Sequence, residues 1–162
     1  MMKKYGRFMT LGCFLLLLGL NLYGCILFDG ATDKKLLSYY DEEPLTAARF
    51  YTRAEDGSMN LEELPTKKLS DLTKTLDSME LTYHSFHTDY FWGGQFGIEL
   101  ERRDGTFLTY DGTLLSLRSR SVKEGYSTDD TIRSSFLEVT NCEFWEEMEG
   151  FFPSVKEAHP RS

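Results

Sequence analysis

Two histidines and an aspartate lie close together in the stretch YHSFHTD, where they could bind a metal ion. His84 and His87 are three residues apart, and Asp89 follows two residues later. The surrounding sequence LTYHSFHTDYFW is rich in aromatic and β-favouring residues, which predicts a strand. In a strand, residues three apart point to opposite faces, so only His87 and Asp89 share a face. Two ligands do not complete a site, and we predict no metal site.

Cys142 is a candidate nucleophile because it follows Asn141, which is a favourable residue for a helix N-cap. The positive end of a helix lowers the pKa of a thiol, whereas nearby carboxylates raise it. Three glutamates follow Cys142, at positions 143, 146 and 147. The sequence places no histidine as a base for this thiol, since His159 lies in a predicted tail. We therefore predict a buried structural cysteine.

The sequence also lacks the short motifs of common enzymes and cofactor sites. It contains no G-x-S-x-G, no H-E-x-x-H, no P-loop and no dinucleotide fingerprint. We therefore predict a protein that is not an enzyme and that has no cofactor.

The stretch TDYFWGGQF is the strongest candidate for a binding surface. Tyr90, Phe91 and Trp92 stand in a row before two glycines, so they cannot all point inward from a strand. If the glycines form a turn, at least one large aromatic side chain lies at a loop tip, where Trp and Tyr supply contact energy to a partner. The alternative is a loop that folds back and covers the open end of the sheet.

The N-terminus resembles a signal sequence. Three basic residues, Lys3, Lys4 and Arg7, precede an apolar run over residues 8–20. The run closes with Leu22-Tyr23-Gly24-Cys25, which resembles the lipobox of bacterial prolipoproteins: an aliphatic residue three positions before a cysteine and a small residue just before it. The resemblance implies that residues 1–24 are removed, that Cys25 is diacylated through its sulfur, and that the new amino group is a further acylation site.

The alternative is an uncleaved N-terminal anchor helix. Residues 8–28 contain no charged side chain, and about 20 apolar residues span a bilayer. The basic residues before them would stay in the cytoplasm, so the domain would still be exported. Both interpretations place the domain outside the cytoplasmic membrane, held to that membrane or to an outer membrane if the host has one.

Charge and cysteine content fit an exported domain. The chain has a net charge of −8, and loss of residues 1–24, which carry three basic and no acidic side chains, takes it to −11. Such a charge argues against binding to nucleic acid and favours basic or neutral partners. With Cys13 in the apolar run and Cys25 as the lipid site, Cys142 has no partner for an internal disulfide.

We predict a lipidated tether over residues 25–44, one domain over residues 45–153 and a flexible tail over residues 154–162. Four residues of the tether, Leu36, Leu37, Tyr39 and Tyr40, could instead dock on the domain. The stretch TAARFYTR is a predicted strand that ends before Asp56-Gly57. One helix face is predicted from the apolar residues Leu69, Leu72, Leu76 and Met79, with start signals at Pro65 and Thr66.

A doubled heptad, DGTFLTY and DGTLLSL, predicts a three-stranded meander. A three-residue loop over 103–105, with Gly105 in the left-handed region, sets Leu100 opposite Leu108 and Ile98 opposite Tyr110. A two-residue turn at Asp111-Gly112 sets Leu108 opposite Leu115 and Tyr110 opposite Thr113. One face then collects six buried residues: Ile98, Leu100, Leu108, Tyr110, Leu115 and Leu117. The repeat lacks the ordered oxygen ligands of a calcium loop.

After Arg120 the sequence predicts a long polar loop and a short strand at FLEV. NCEFWEEMEGFF predicts a helix that is capped by Asn141, with its aromatic residues inward. The predicted fold is α+β: an antiparallel sheet that includes the meander, with one central and one C-terminal helix on one face.

The functional prediction is a lipid-anchored binding or scaffolding module of the cell envelope, with an envelope protein as its partner. One alternative is a small envelope hydrolase, or a subunit that activates one, which needs a polar cleft joining His87, Asp89 and Cys142. Another is a lipoprotein that senses a small molecule, which needs a cavity between sheet and C-terminal helix, near Phe144 and Trp145.

Overall fold

The computed structural model of the 162-residue chain describes residues 31–32, 34–83, 95–125 and 127–159. The strands are β1 Ala31–Thr32, β2 Leu45–Arg53, β3 Met59–Glu63, β4 Leu81–Tyr83, β5 Phe96–Arg102, β6 Phe107–Tyr110, β7 Leu114–Arg118 and β8 Thr131–Val139. The α-helices are α1 Thr66–Asp77, α2 Phe144–Glu149 and α3 Val155–Ala158, and two 3-10 turns cover Val122–Glu124 and Thr128–Asp130. Within these residues, no helix has the length and apolarity needed to span a bilayer.

The strands form one antiparallel sheet in the order β1-β4-β8-β7-β6-β5-β2-β3. Helix α1 links β3 at one edge of the sheet with β4 near the other edge. The predicted α+β fold is confirmed.

One face of the sheet carries the hydrophobic core. The six meander residues that alternation assigns to this face are all buried, as predicted. Helix α1 contributes Leu72 and Leu76, and Met79 follows just after it, all with no exposed surface. The C-terminal region adds Phe144, Met148, Phe152 and Val155 to the same cluster.

The first hairpin of the meander has the predicted register. Ile98 pairs with Tyr110 and Leu100 pairs with Leu108. Gly105 has φ of 82°, in the left-handed region that glycine adopts without a steric cost.

The predicted two-residue turn of the second hairpin is wrong. Tyr110 pairs with Leu115 and Leu108 pairs with Leu117, so the loop has four residues. A two-residue type I′ turn requires positive φ at both central positions, but only Gly112 of the pair has positive φ, at 99°. The Asp111 carboxylate instead accepts hydrogen bonds from the backbone N–H groups of Thr113 (3.1 Å) and Leu114 (2.8 Å), which stabilises the longer loop. The register shifts by two residues, so the buried face is unchanged.

The sheet goes beyond the sequence prediction in two places, since β3 is an additional strand and β8 is longer than predicted. Strand β3 follows the Asp56-Gly57 turn and pairs along β2, and β8 begins at Thr131, inside the predicted loop. Of the predicted strand LTYHSFHTDYFW, only residues 81–83 are described, as β4.

Two segments that the sequence assigns to the tether and the tail pack on the domain. Leu36, Leu37 and Tyr39 belong to the core cluster, which is the docking that the sequence leaves open. In the predicted flexible tail, Val155 is fully buried and begins α3. The described parts of both segments are therefore elements of the domain.

The second face of the sheet is polar and partly covered. The connection between β7 and β8, described at residues 119–125 and 127–130 and called the strap below, crosses this face. The first 3-10 turn of the strap, Val122–Glu124, contacts β3, and Val122 is fully buried.

Candidate functional site

Several predicted site residues lie outside the described residues. These are the lipidation site Cys25, the candidate binding residues Tyr90, Phe91 and Trp92, and the metal candidates His84, His87 and Asp89. The lipid anchor and the aromatic surface therefore stay predictions. Among the described residues, no group of three or more His, Cys, Asp or Glu side chains is placed to hold a metal ion.

Asn141 is not the N-cap that the sequence predicts. Helix α2 begins at Phe144 with Glu143 as its N-cap residue and has no side-chain cap. The Asn141 side chain instead donates to the Ser78 carbonyl at 2.9 Å and accepts from the Glu80 N–H at 2.9 Å. It ties the segment before α2 to the segment after α1, because both ends of its amide find backbone partners there.

Cys142 lies half-buried between Asn141 and Glu143. Burial raises the pKa of its thiol, and the negative charges of Glu147 and Glu143 raise that pKa further. A nucleophilic cysteine needs the opposite shift, since the thiolate is the reactive form. The glutamates act in the predicted direction, although burial is the larger cause, and the helix begins only at Phe144, two residues after Cys142.

A groove of about 520 Å³ opens beside Cys142 at one end of the sheet. It lies between the β6–β7 loop, the end of β8 and the start of α2. Three acidic residues line it: Asp111, Glu138 and Glu143. Thr113, Thr140 and Asn141 add polar groups, and Trp145 supplies an aromatic wall.

The indole of Trp145 is fixed in place by its neighbours. Its ring centroid lies 4.8 Å from that of Phe144 and 4.9 Å from that of Phe96, both edge-on, and His159 stacks on it at 6.0 Å. Gly112 lies against the indole, where a Cβ atom would approach Nε1 to 3.0 Å. The groove therefore has a rigid aromatic side, which favours binding because little side-chain freedom is lost.

The interface between the sheet and the C-terminal helices is filled by side chains. Phe144 packs edge-on against Tyr110 with centroids 4.7 Å apart, and Phe152 packs against Phe50 at 6.2 Å. The Tyr110 hydroxyl also lies within hydrogen-bond distance of two carbonyls, those of Gly112 (2.7 Å) and Leu137 (3.0 Å), which share its one proton. These contacts fill this part of the interface, whereas the groove beside it is open.

A second polar cluster lies beneath the strap, where Arg49 contacts three carboxylates. The guanidinium is 3.2 Å from Glu63, 3.1 Å from Glu99 and 2.7 Å from Glu101. Burial lowers the pKa of Arg49, but the hydrogen bonds to these carboxylates raise it more, so the net shift is upward.

Both carboxylate oxygens of Glu99 have protein partners. Oε1 accepts from Arg49 and from the Ser121 hydroxyl (2.8 Å), and Oε2 accepts from the Val122 N–H (2.6 Å). Glu99 is fully buried, so its oxygens are occupied by these donors rather than presented to a substrate. The cluster fastens the strap to the sheet. Sequence alternation marks Glu99 only as outward-facing and so missed this role.

Comparison of the chain with protein families, with curated proteins and with solved structures gives no match. We take the groove as the candidate site because it combines acidic groups, exposed polar groups and one fixed aromatic ring.

Proposed function

We propose that the chain is a lipid-anchored extracytoplasmic bacterial protein whose domain binds an envelope protein and has no catalytic activity of its own. The anchor rests on the basic residues before the apolar run and on the lipobox-like Leu22-Tyr23-Gly24-Cys25. The binding role rests on the groove.

The composition of the groove suits a basic or neutral segment of a partner. Asp111, Glu138 and Glu143 supply negative charge, and the Trp145 indole offers an aromatic surface beside them. Cations are attracted both to carboxylates and to the faces of aromatic rings. The expected mature net charge of −11 favours the same class of partner by long-range attraction.

Two observations weigh against the alternatives. The raised pKa of Cys142 disfavours a hydrolase that uses this thiol as its nucleophile. The packed contact of Phe144 with Tyr110 disfavours a small molecule inside the sheet–helix interface, so a small molecule would have to bind in the groove, which Phe144 and Trp145 also line. An open groove with charged walls is better matched to a polypeptide segment.

Photocrosslinking in living cells tests the binding role. A benzoylphenylalanine at Thr140, which is exposed and lines the groove, is introduced into the full chain. We expect a covalent adduct with an envelope protein, and we expect Glu143→Arg to abolish it. Glu55→Arg is the matched control, because it makes the same charge change in the exposed β2–β3 turn and should leave the adduct intact.

The double variant Phe91→Ala, Trp92→Ala tests whether the predicted aromatic surface contributes to the same contact. Loss of the adduct in this variant, with an unchanged melting temperature, would assign both surfaces to one interface. An adduct that survives Glu143→Arg would contradict the groove as the binding site. No protein adduct at position 140 would favour the small-molecule and hydrolase alternatives instead.

A further inference from the structure

The direction of β1 indicates which end of the domain approaches the lipid anchor. Ala31 pairs with Thr82 in β4, and β4 in turn runs antiparallel to β8, with Tyr83 opposite Leu137. Strand β1 therefore runs in the same direction as β8. Its N-terminal end therefore points toward the end of the sheet at which β8 begins. We call this end the proximal end; it is formed by Thr131, the strap and the loop over 103–105.

We infer that the proximal end rests on the bilayer, with Ile132 as a membrane-contacting side chain, and that the groove opens on the far side. This inference rests on the proposed lipid anchor at Cys25. The inference adds to that anchor an orientation of the domain and a second surface that contacts the membrane.

The length of the tether limits the distance from the membrane. Because Leu36, Leu37 and Tyr39 pack in the core, only the chain before Ala31 can extend from the domain toward the anchor. Six residues separate Cys25 from Ala31, and six residues span at most about 20 Å. Ala31 pairs with Thr82, and Thr82 pairs with Glu138, so Ala31 and Glu138 lie at the same level of the sheet. Ile132 lies six residues before Glu138 along β8, a distance of about 20 Å. A tether that continues the direction of β1 thus brings Cys25 to the level of Ile132.

The most exposed large apolar side chain of the described residues lies at this end. Ile132 is 52% exposed, and Phe136, on the same face of β8, is 40% exposed. An isoleucine at the level of a lipid anchor gains free energy by burying its surface among the acyl chains.

Charge distribution favours the same orientation. The exposed charges of the loop over 103–105 and of the strap balance: Arg103, Arg120 and Lys123 are basic, and Asp104, Glu124 and Asp129 are acidic. The groove end carries the acidic residues Asp111, Glu138 and Glu143. A bilayer with anionic lipids repels the acidic end and tolerates the neutral one. The β8 strand separates the two ends by roughly 25 Å, so the groove faces away from the membrane.

Lipid photocrosslinking tests this orientation. The full chain is produced in a bacterial host with benzoylphenylalanine at Ile132 or at Thr140, and membranes are irradiated after growth with radiolabelled phosphate. Both positions are exposed and lie along β8 or just after it. We expect phospholipid adducts at position 132 and none at position 140, with equal melting temperatures for the two proteins.

Adducts at 140, or at neither position, would overturn the orientation. The anchor is checked separately by the mass of the mature N-terminus and by palmitate incorporation, with Cys25→Ala as the negative control. An acylated chain without adducts at 132 leaves the anchor standing and rejects the orientation. Adducts at 132 on a chain that keeps residues 1–24 reject lipidation and retain the orientation.

Discussion

Arg49 and Glu99 face each other across β2 and β5 and form an ion pair of 3.1 Å on the face of the sheet opposite the core. Glu99 has no exposed surface, because the strap lies over it and donates from Ser121 and Val122. A buried carboxylate is tolerated only where such donors replace water. The pair therefore makes the strap part of the folded domain rather than a loose connection.

Removal of the Glu99 carboxylate should strongly destabilise the protein. Glu99→Ala leaves the Ser121 hydroxyl, the Val122 N–H and one N–H of the Arg49 guanidinium without their acceptor, although Arg49 keeps Glu63 and Glu101. A buried donor without an acceptor costs about 1–3 kcal/mol, so we expect a loss of at least that size. Glu63→Ala is the control, since Glu63 pairs with the same arginine but its side chain is 64% exposed, and its loss should cost under about 1 kcal/mol. Urea unfolding of both variants measures the difference. Equal losses would show that burial of the pair does not matter.

Alanine at Gly112 should cost more than alanine at Gly105. Both glycines have positive φ, at 99° and 82°, so each alanine variant incurs a backbone cost of about 1 kcal/mol. Only at position 112 does the new Cβ meet another residue, Trp145 at 3.0 Å, whereas Gly105 has open space. We expect a lower melting temperature for Gly112→Ala than for Gly105→Ala, and altered tryptophan fluorescence for Gly112→Ala alone. Equal melting temperatures would contradict the close approach.

The two hairpins show what the sequence could predict and what it could not. Alternation of apolar residues fixes the face on which each side chain lies, so the buried set of six was correct. It does not fix loop length, because a shift by two residues keeps the same face. The second register was set instead by the Asp111 carboxylate, which accepts hydrogen bonds from the N–H groups of Thr113 and Leu114; the Asp-Gly pattern does not reveal these bonds.

Features that depend on contacts between distant residues could not be predicted either, because sequence patterns reflect only neighbouring residues. Asn141 looked like a helix cap because caps are local, but its partners Ser78 and Glu80 are about sixty residues away. The groove likewise joins the β6–β7 loop to the start of α2, and only the packed fold brings Gly112 against Trp145. Sequence patterns over a few residues predicted most of the helices and strands, whereas the groove is formed by contacts between residues that are far apart in the sequence.

The hydroxyl of Tyr39 should make stability depend on alkaline pH. Burial raises the pKa of Tyr39, a hydrogen bond with Ser135 lowers it by less, and the hydrogen bond that it donates to Tyr83 at 2.8 Å raises it, to about 12 overall from 10. A raised tyrosine pKa favours the neutral form in the folded state, so its contribution is present below pH 10 and is lost as pH rises toward 12. Tyr39→Phe should lose about 1 kcal/mol at neutral pH and decline less between pH 10 and 12. Urea midpoints across this range measure both effects, and parallel curves would contradict the shift.

The Cys142 thiol should react slowly. Its pKa is raised first by burial and then by Glu147 and Glu143, so less thiolate is present at pH 8 than for an ordinary cysteine. Alkylation by iodoacetamide should be slower than that of a cysteine peptide, and Glu147→Gln should accelerate it by lowering the pKa. Cys142→Ala provides the background rate. Alkylation faster than the peptide would reopen the nucleophile hypothesis.

Leu36 should behave as a core residue although it lies in the segment that the sequence assigns to a tether. It has no exposed surface and belongs to the same cluster as Leu72 and Leu115, so Leu36→Ala should cost about 2–5 kcal/mol. Glu42→Ala is the matched control in the same segment, because Glu42 is exposed and its change should stay within about 0.5 kcal/mol. Urea unfolding of the full chain in detergent gives both values. A neutral Leu36→Ala would mean that residues 34–44 are not held on the domain, which would lengthen the tether and remove the limit of about 20 Å on which the membrane orientation depends.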